Sequence, residues 1–413
     1  MRSPPPIQPS GATSAPAIDL LSGDFYGDAR EAYRWMRANA PVHFDANSGL
    51  WGVATYAGVL AVESDAATFS NAGGSRPDTG PVPWMIDMDA PAHLQRRKLV
   101  NRGFTPGRVR ASAAHIGRLC DQLIDAVCER GECDLVADLA APLPMIVIGD
   151  MLGVPPEDRD DLLQWSDDML ASLSGDPERV EAAATAFGAY QEYALGLIEA
   201  RREKPTDDLV SVLVHAEVDG ARLDDSEIVF ESLLLLVGGD ETTRHVISGG
   251  MEQLLRNPGE RKKLLDEPDL LASAVEEMLR WVTPIKNMNR TVTRDVELGG
   301  QHLRAGDKAL VLYESANFDD AHFEQPDRFD VERSPNDHLA FGFGAHFCLG
   351  ASLARLEVST MVERLLNRLP ALAIATDDAL PRFIGALTEL PVRFSPTSPR
   401  SLTENPGMGT RER

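Results

Sequence analysis

Apolar residues recur at three- and four-residue spacing through most of the chain, and wherever that spacing persists a helix is expected. The pattern predicts helices over Asp28–Asn39, His93–Arg102, Ala113–Arg130, Leu139–Leu152, Arg159–Ser172, Pro177–Glu203 and Ala274–Trp281. Prolines such as Pro41, Pro155, Pro156 and Pro205 punctuate their connections. The longest candidate is Asp224–Asn257, acidic at its start and stopped by Pro258. About 33 residues at ~1.5 Å each would make it roughly 50 Å long, enough to cross a whole domain. A last helix is expected just after Cys348, where Leu349, Leu353, Leu356, Leu365 and Leu369 keep the spacing. Shorter β-like runs fall at Leu50–Thr55, Arg290–Val296, Lys308–Tyr313 and Leu390–Phe394. The fold class read from this pattern is mainly α with small β-sheets (α+β).

Three stretches break the pattern. The proline-rich segment Pro77–Pro91 carries Trp84, Met85 and Ile86, large apolar groups in what should be a loop. It either folds over the core or lines a ligand pocket, and the apolar turn from Phe383 and Ile384 to Leu387 can do the same. The middle of the longest helix reads Gly238-Gly239-Asp240-Glu241-Thr242-Thr243. Two interior glycines cost about 1 kcal/mol each, and the threonines add to that. Either another helix packs closely there, or Thr242 bonds back to the Gly238 carbonyl and opens a groove. The third stretch, Phe341–Gly350, sets Cys348 in a loop broken by Gly342, Gly344 and Gly350. A free cysteine usually packs as a small hydrophobe. Three glycines that let the backbone lie against a flat partner, and a helix N-terminus facing the thiol, favour instead a thiolate for a soft or redox metal.

Composition narrows the class. Of 413 residues, 43% are hydrophobic and 25% charged, as in a soluble globular protein. The four cysteines, Cys120, Cys128, Cys133 and Cys348, include no C-x-x-C spacing and suit a reducing compartment. Met1–Pro16 lacks the apolar core of a signal peptide, and Leu233–Val237, the longest apolar run, is far too short to span a bilayer. No membrane anchor and a cytoplasmic location are expected. A net charge of −24 argues against nucleic acid, yet Ala90–Cys120 holds seven arginines and lysines with no acid. That run is either a solvated helix face or a docking surface.

The cysteine loop resembles the haem-binding sequence of the cytochrome P-450 monooxygenases, F-x-x-G-x-H-x-C-x-G, at Phe341, Gly344, His346, Cys348 and Gly350. Gly238, Gly239, Glu241 and Thr242 match that family's oxygen-activation motif, and Glu277 with Arg280 its E-x-x-R pair. The resemblance runs from about Ile18 to Pro396 and implies one cytochrome P-450 domain over residues 18–396, with disordered tails at 1–17 and 397–413. It implies haem b, with Cys348 as the iron ligand. His93, Arg97, Arg290, Phe341, Gly342, His346 and Gly350 would be haem contacts, Glu241 and Thr242 the acid and alcohol of proton delivery. Arg328, in Pro326-Asp327-Arg328-Phe329, would complete a structural Glu-Arg-Arg network with Glu277 and Arg280.

Within the family the likeness is to bacterial sterol side-chain hydroxylases, carried by Pro83–Asp89, Arg96–Asn101, Gly239–His245 and Glu314–Asp319. It implies hydroxylation of the terminal methyl of cholesterol or cholest-4-en-3-one, with electrons from a ferredoxin and its reductase. The sterol-like substrate would be lined by Trp84, Met85, Ile86, Leu235, Gly239, Ile285, Met288, Phe383 and Ile384. A peroxide-dependent relative would usually lack the Glu241–Thr242 pair, and a haem or lipid carrier would have no reason to strain its central helix.

Overall fold

The axis of the molecule is the helix Asp225–Arg256, 32 residues long and unbroken through its glycine pair. At ~1.5 Å per residue it extends about 48 Å. Its start is fixed by a capping box: Asp224 accepts from the Glu227 amide, and the Glu227 carboxylate accepts from the Asp224 amide. Asn257 ends it, and Pro258 then opens the next helix, Pro258–Asp266, so this proline is both stop and start. The computed structural model describes residues 16–171, 177–217, 220–376, 378, 380–383 and 385–400. Of the expected tails, 1–15 and 401–413 lie outside the described residues, as does Ile384.

Helices enclose this axis on several sides. Pro142–Leu152, Leu271–Val282 and Ala351–Arg368 pack along it, and Pro106–Asp125 packs on the last of these. Arg159–Ala171 and Pro177–Glu203 pack on each other, and the second also packs on the axis. The largest core is built from their inward faces, among them Ile116, Leu143, Val147, Ile247, Met251, Met278, Val358 and Met361. A five-stranded sheet stands to one side in the order Val42–Asp45, Leu50–Val53, Lys308–Leu312, Asn287–Val292, Phe69–Ser70. Only Leu50–Val53 with Lys308–Leu312 is parallel. In Asn287–Val292, Met288 and Arg290 are two apart and so share one face of the strand. Among the described residues no helix is long and apolar enough to cross a membrane.

Helix existence follows the apolar spacing, while the ends move. The helix expected at Ala113 begins at Pro106, where Thr105 caps the Arg108 amide. Arg108 and Arg110 dilute the apolar periodicity of its first turns. Tyr56–Ser64 and Leu209–His215 are not predicted: the second has under two turns, and in the first apolar residues fill most positions, so no helical spacing shows.

Candidate active site

A large cavity lies between the long helix and the cysteine loop, with about 1450 Å³ of empty space including its open mouth. Its floor is the loop leading to Cys348. Gly342 and Gly344 adopt left-handed backbone at φ +66° and +70°, and a Cβ on Gly344 would sit 2.6 Å from the Glu63 carbonyl oxygen, so only glycine fits. Gly350 has ordinary backbone, φ −84°, and serves as the N-cap of Ala351–Arg368. Nothing stands within 4 Å of where its Cβ would be. The Cys348 amide donates to the Phe341 carbonyl at 2.9 Å, closing the loop. Its sulfur is exposed onto the cavity, which opens to solvent at its mouth. Burial pushes the Cys348 thiol up, and the backbone amides of Gly350 and Ala351 with Arg97 and Arg355 pull it down. The helix N-terminus alone therefore does not produce the expected thiolate; a bound cation would supply the missing charge.

One end of the cavity is cationic. His93 and Arg97 project from Ala92–Val100, Arg290 from the sheet and His346 from the cysteine loop, and all four reach the lining. The His93 and His346 rings stack with centroids 4.0 Å apart. Burial, with His93, Arg290 and Arg97 nearby, holds His346 neutral down to about 3. His93 is buried, and its Nε2 has no hydrogen-bond partner. Such a cluster needs anionic acceptors, and the two carboxylates of a haem would meet that need. A lone sulfur provides one ligand, so an iron bound there must bring the rest in a macrocycle. The residues present thus fit a haem. Every expected haem contact lines this cavity: His93, Arg97, Arg290, Phe341, Gly342, His346, Cys348 and Gly350. Glu63 was missed by sequence reasoning. Its buried carboxylate accepts from Arg290 at 2.5 Å, Tyr313 Oη at 3.1 Å and the Phe343 amide at 3.2 Å, holding arginine and loop together. A glutamate alone in a short helix gives no pattern that could have flagged it.

The opposite wall is apolar. Met85, Ile86, Leu235, Gly239, Ile285 and Met288 line it as expected, joined by Phe104, Leu234, Gly238, Thr243 and Val246. Trp84 does not. It is extended, directly before the 3₁₀ turn Met85–Asp87, so its side chain and that of Met85 leave the backbone on opposite sides. The side chain of Phe383, like all of Ile384, lies outside the description. Thr242 Oγ1 donates to the Gly238 carbonyl at 2.8 Å, and the helix stays closed around that bond. The two glycines divide the alternatives between them. A Cβ on Gly239 would meet Ile148 at 3.2 Å, which is close helix packing, while Gly238 faces open space.

Glu241 does not reach the lining. Its carboxylate takes Arg244 at 3.1 Å, and Arg244 extends to Asp167 on the neighbouring helix at 3.4 Å. Burial raises the Glu241 carboxyl while Arg244 lowers it. Two further acids were missed. Asp240 is fully buried, both carboxyl oxygens lack partners, and burial pushes it up to about 7. Glu357 lines the cavity, is buried, and is raised well above the usual range by the same cause.

Behind the floor, Glu277 and Arg280 pair completely buried at 2.8 Å through two parallel hydrogen bonds. The expected third member, Arg328, is not the residue that joins them. Arg328 is exposed and reaches only Asp330 at 3.7 Å and Glu260 at 4.0 Å. Arg333 holds Glu277 instead, Nε to Oε2 at 3.0 Å, and donates to the carbonyls of Glu324, Gln325 and Arg328. The turn from Gln325, at φ +47°, carries Arg328 outward and returns the chain with Arg333 facing in.

The profile of the cytochrome P450 family matches residues 88–393. The Steroid C26-monooxygenase of Mycobacterium tuberculosis is 58% identical over 396 residues, covering 94% of this chain and 99% of that protein. The protein of the same name from Mycolicibacterium smegmatis is 56% identical over 392 residues, covering 93% and 98%. Among solved structures, CYP109E1 from Bacillus megaterium in complex with testosterone superposes with a TM-score of 0.81 at 36% identity, over 89% of this chain and 99% of that one. Both the sequence around Cys348 and the architecture that carries it are thus shared with known members, and the chain belongs to the cytochrome P450 family of haem monooxygenases.

Proposed function

We propose that this cytochrome P450 hydroxylates the terminal methyl of a steroid side chain, with cholest-4-en-3-one or cholesterol as substrate. The observation that carries the proposal is identity of 56–58% along almost the entire chain to two proteins named Steroid C26-monooxygenase. The cavity agrees with it. Its far wall is apolar, so a long rigid hydrocarbon would be held mainly by desolvation, at ~25 cal/mol per Å² of apolar surface. The open space beside Gly238 suits a slim chain end better than a fused ring system.

Haem b, when bound, supplies the activation of dioxygen. Cys348 would hold the iron through its sulfur, and His93, Arg97, Arg290 and His346 would take the two carboxylates. Met85, Ile86, Leu235, Ile285 and Met288 would exclude water and orient the substrate. Thr242 would carry a proton at its hydroxyl, which must first leave the Gly238 carbonyl. Glu241 would have to swing from Arg244 to share that task. Electrons would come from a ferredoxin in the cytoplasm. Much of the basic run is engaged within the fold, Arg96 by two glutamates and Arg108 by Asp207, which leaves Lys98, Arg110 and Arg118 exposed for such an acidic partner. Spectral titration of the purified holoenzyme with a panel of sterols, fatty acids and macrolides tests the substrate, followed by product analysis with ferredoxin, reductase and NADH. Sterols should shift the haem spectrum and yield the terminal alcohol. Ring-hydroxylated product, or a shift with fatty acids or macrolides but with no sterol, would refute the proposal.

A further inference from the structure

Behind the apolar wall lies a buried carboxyl, Glu231, that the reaction does not use. Glu231 lies on the long helix one turn before Leu234 and Leu235, and its side chain is fully buried. Its Oε1 accepts from the Met85 amide at 2.8 Å and from Arg96 Nη1 at 3.1 Å, while Oε2 has no partner. Arg96 also bonds Glu227, whose other oxygen caps the start of the same helix at 2.9 Å. Burial pushes the Glu231 carboxyl up to about 7 against the pull of Arg96. A glutamate here is thus a costly choice at a position that leucine could fill.

The loop it touches is already shaped from within. Asp87 accepts from the amides of Ser75 at 2.8 Å and Val82 at 2.9 Å, and Asn71 donates to the Ile86 carbonyl at 2.9 Å. Asn289 and Lys308 tie its outer part to the sheet through the carbonyls of Gly74 and Pro77. Among the described residues, the Met85 bond is the only hydrogen bond joining residues 71–91 to the long helix. It sits at the turn that delivers Met85 and Ile86 to the cavity.

We infer that Glu231 is a positioning residue for substrate selection: its carboxylate pins the Met85 backbone to the long helix and so fixes where Met85 and Ile86 meet the steroid. The inference rests on the function proposed above. Arg96 makes the tie rigid by holding the carboxylate from the helix that also carries His93 and Arg97. Because both donors share Oε1, a glutamine can keep both bonds with its oxygen in that place, whereas leucine keeps neither.

The test compares wild type, Glu231→Gln and Glu231→Leu as holoenzymes. Spectral titration gives the affinity for cholest-4-en-3-one and for imidazole, a small iron ligand, and hydrogen exchange is read over residues 80–91. In the leucine variant steroid affinity should fall roughly tenfold and exchange over 80–91 should rise by a similar factor, with imidazole affinity unchanged. Glutamine should restore most of both, and the terminal alcohol should be joined by other side-chain products only in the leucine variant. In wild type without steroid, the Met85 amide should exchange far more slowly than the exposed residues 78–80. That measurement stands even if the leucine variant fails to load haem. Fast exchange at Met85 in wild type, unchanged steroid affinity in the leucine variant, or equal losses for steroid and imidazole in it would each overturn the inference. If wild type binds no steroid, the proposed substrate fails, and the exchange data alone decide the tie.

Discussion

Arg333 and Arg328 are five residues apart, and only one of them supports the floor beneath Cys348. Arg333→Ala removes a nearly buried guanidinium, 8% exposed, together with its bond to Glu277 at 3.0 Å and three bonds to backbone carbonyls. Breaking a buried ion pair costs ~3–5 kcal/mol, chiefly because the surviving partner is left uncompensated. Glu277 here keeps Arg280 through two bonds, and the Asp330 amide and Asn336, so the lower end applies. About 3 kcal/mol is expected, roughly a hundredfold in the ratio of folded to unfolded protein. Arg328→Ala removes a side chain that is 54% exposed and touches its acids at 3.7 and 4.0 Å, so it should cost ~0–1 kcal/mol. Arg333→Lys keeps the charge and loses the fork, and should fall between the two. Urea titrations followed by circular dichroism and by haem absorbance give both stability and haem retention. A loss at Arg328 equal to or greater than that at Arg333 would refute the assignment.

Cys348→Ser should abolish the red-shifted band of the reduced carbon monoxide complex, while serine at Cys120, Cys128 or Cys133 should leave it; a retained band would mean another ligand. Thr242→Ala should leave steroid affinity nearly intact and divert reducing equivalents to peroxide, which product formed per NADH consumed measures directly. Gly238→Ala should gain up to ~1 kcal/mol of helix stability yet weaken steroid binding, because its methyl enters open cavity. Gly239→Val should instead lose stability by ~1–3 kcal/mol through Ile148, and equal behaviour of the two would remove the distinction. Asp240, pushed up to about 7, keeps its proton in the folded state where the unfolded chain has lost it. Wild-type stability therefore carries a component that falls as pH rises from about 4 to 7, at most ~4 kcal/mol at ~1.36 kcal/mol per pH unit. Asp240→Asn should lack that component, so its unfolding midpoint relative to wild type should climb between pH 4 and 7; a constant offset would show that Asp240 titrates normally.

Regular periodicity and fixed-spacing motifs made the floor and the long helix legible. Cys348, the glycine pair and the Glu277–Arg280 pair are local, because each depends on residues within one loop or one helical turn. Arg333 was not legible: two arginines in one short segment could each have supplied the third member, and only the folded path of the chain shows which of them faces Glu277. Trp84 failed for a similar reason, since composition placed three large residues in one loop but could not say which side of the backbone faced the cavity. Glu63, Glu231 and Asp240 carry no spacing signal at all. Glu63 and Glu231 take their roles from partners up to 280 residues away, such as the Phe343 amide for Glu63, and Asp240 from its burial.

The long helix has its dependents on every side and along its full length. Its capping box opens it, Glu231 takes the Met85 loop, Gly238 and Thr242 face the cavity, Arg244 reaches Asp167, and Glu252 grips Arg382 at 2.7 and 2.8 Å near the far end. One inserted or deleted residue between Asp225 and Arg256 would turn everything beyond it by about 100° and slide it ~1.5 Å, breaking several of these attachments together. Substitutions along it can be tested one at a time, but its length is locked.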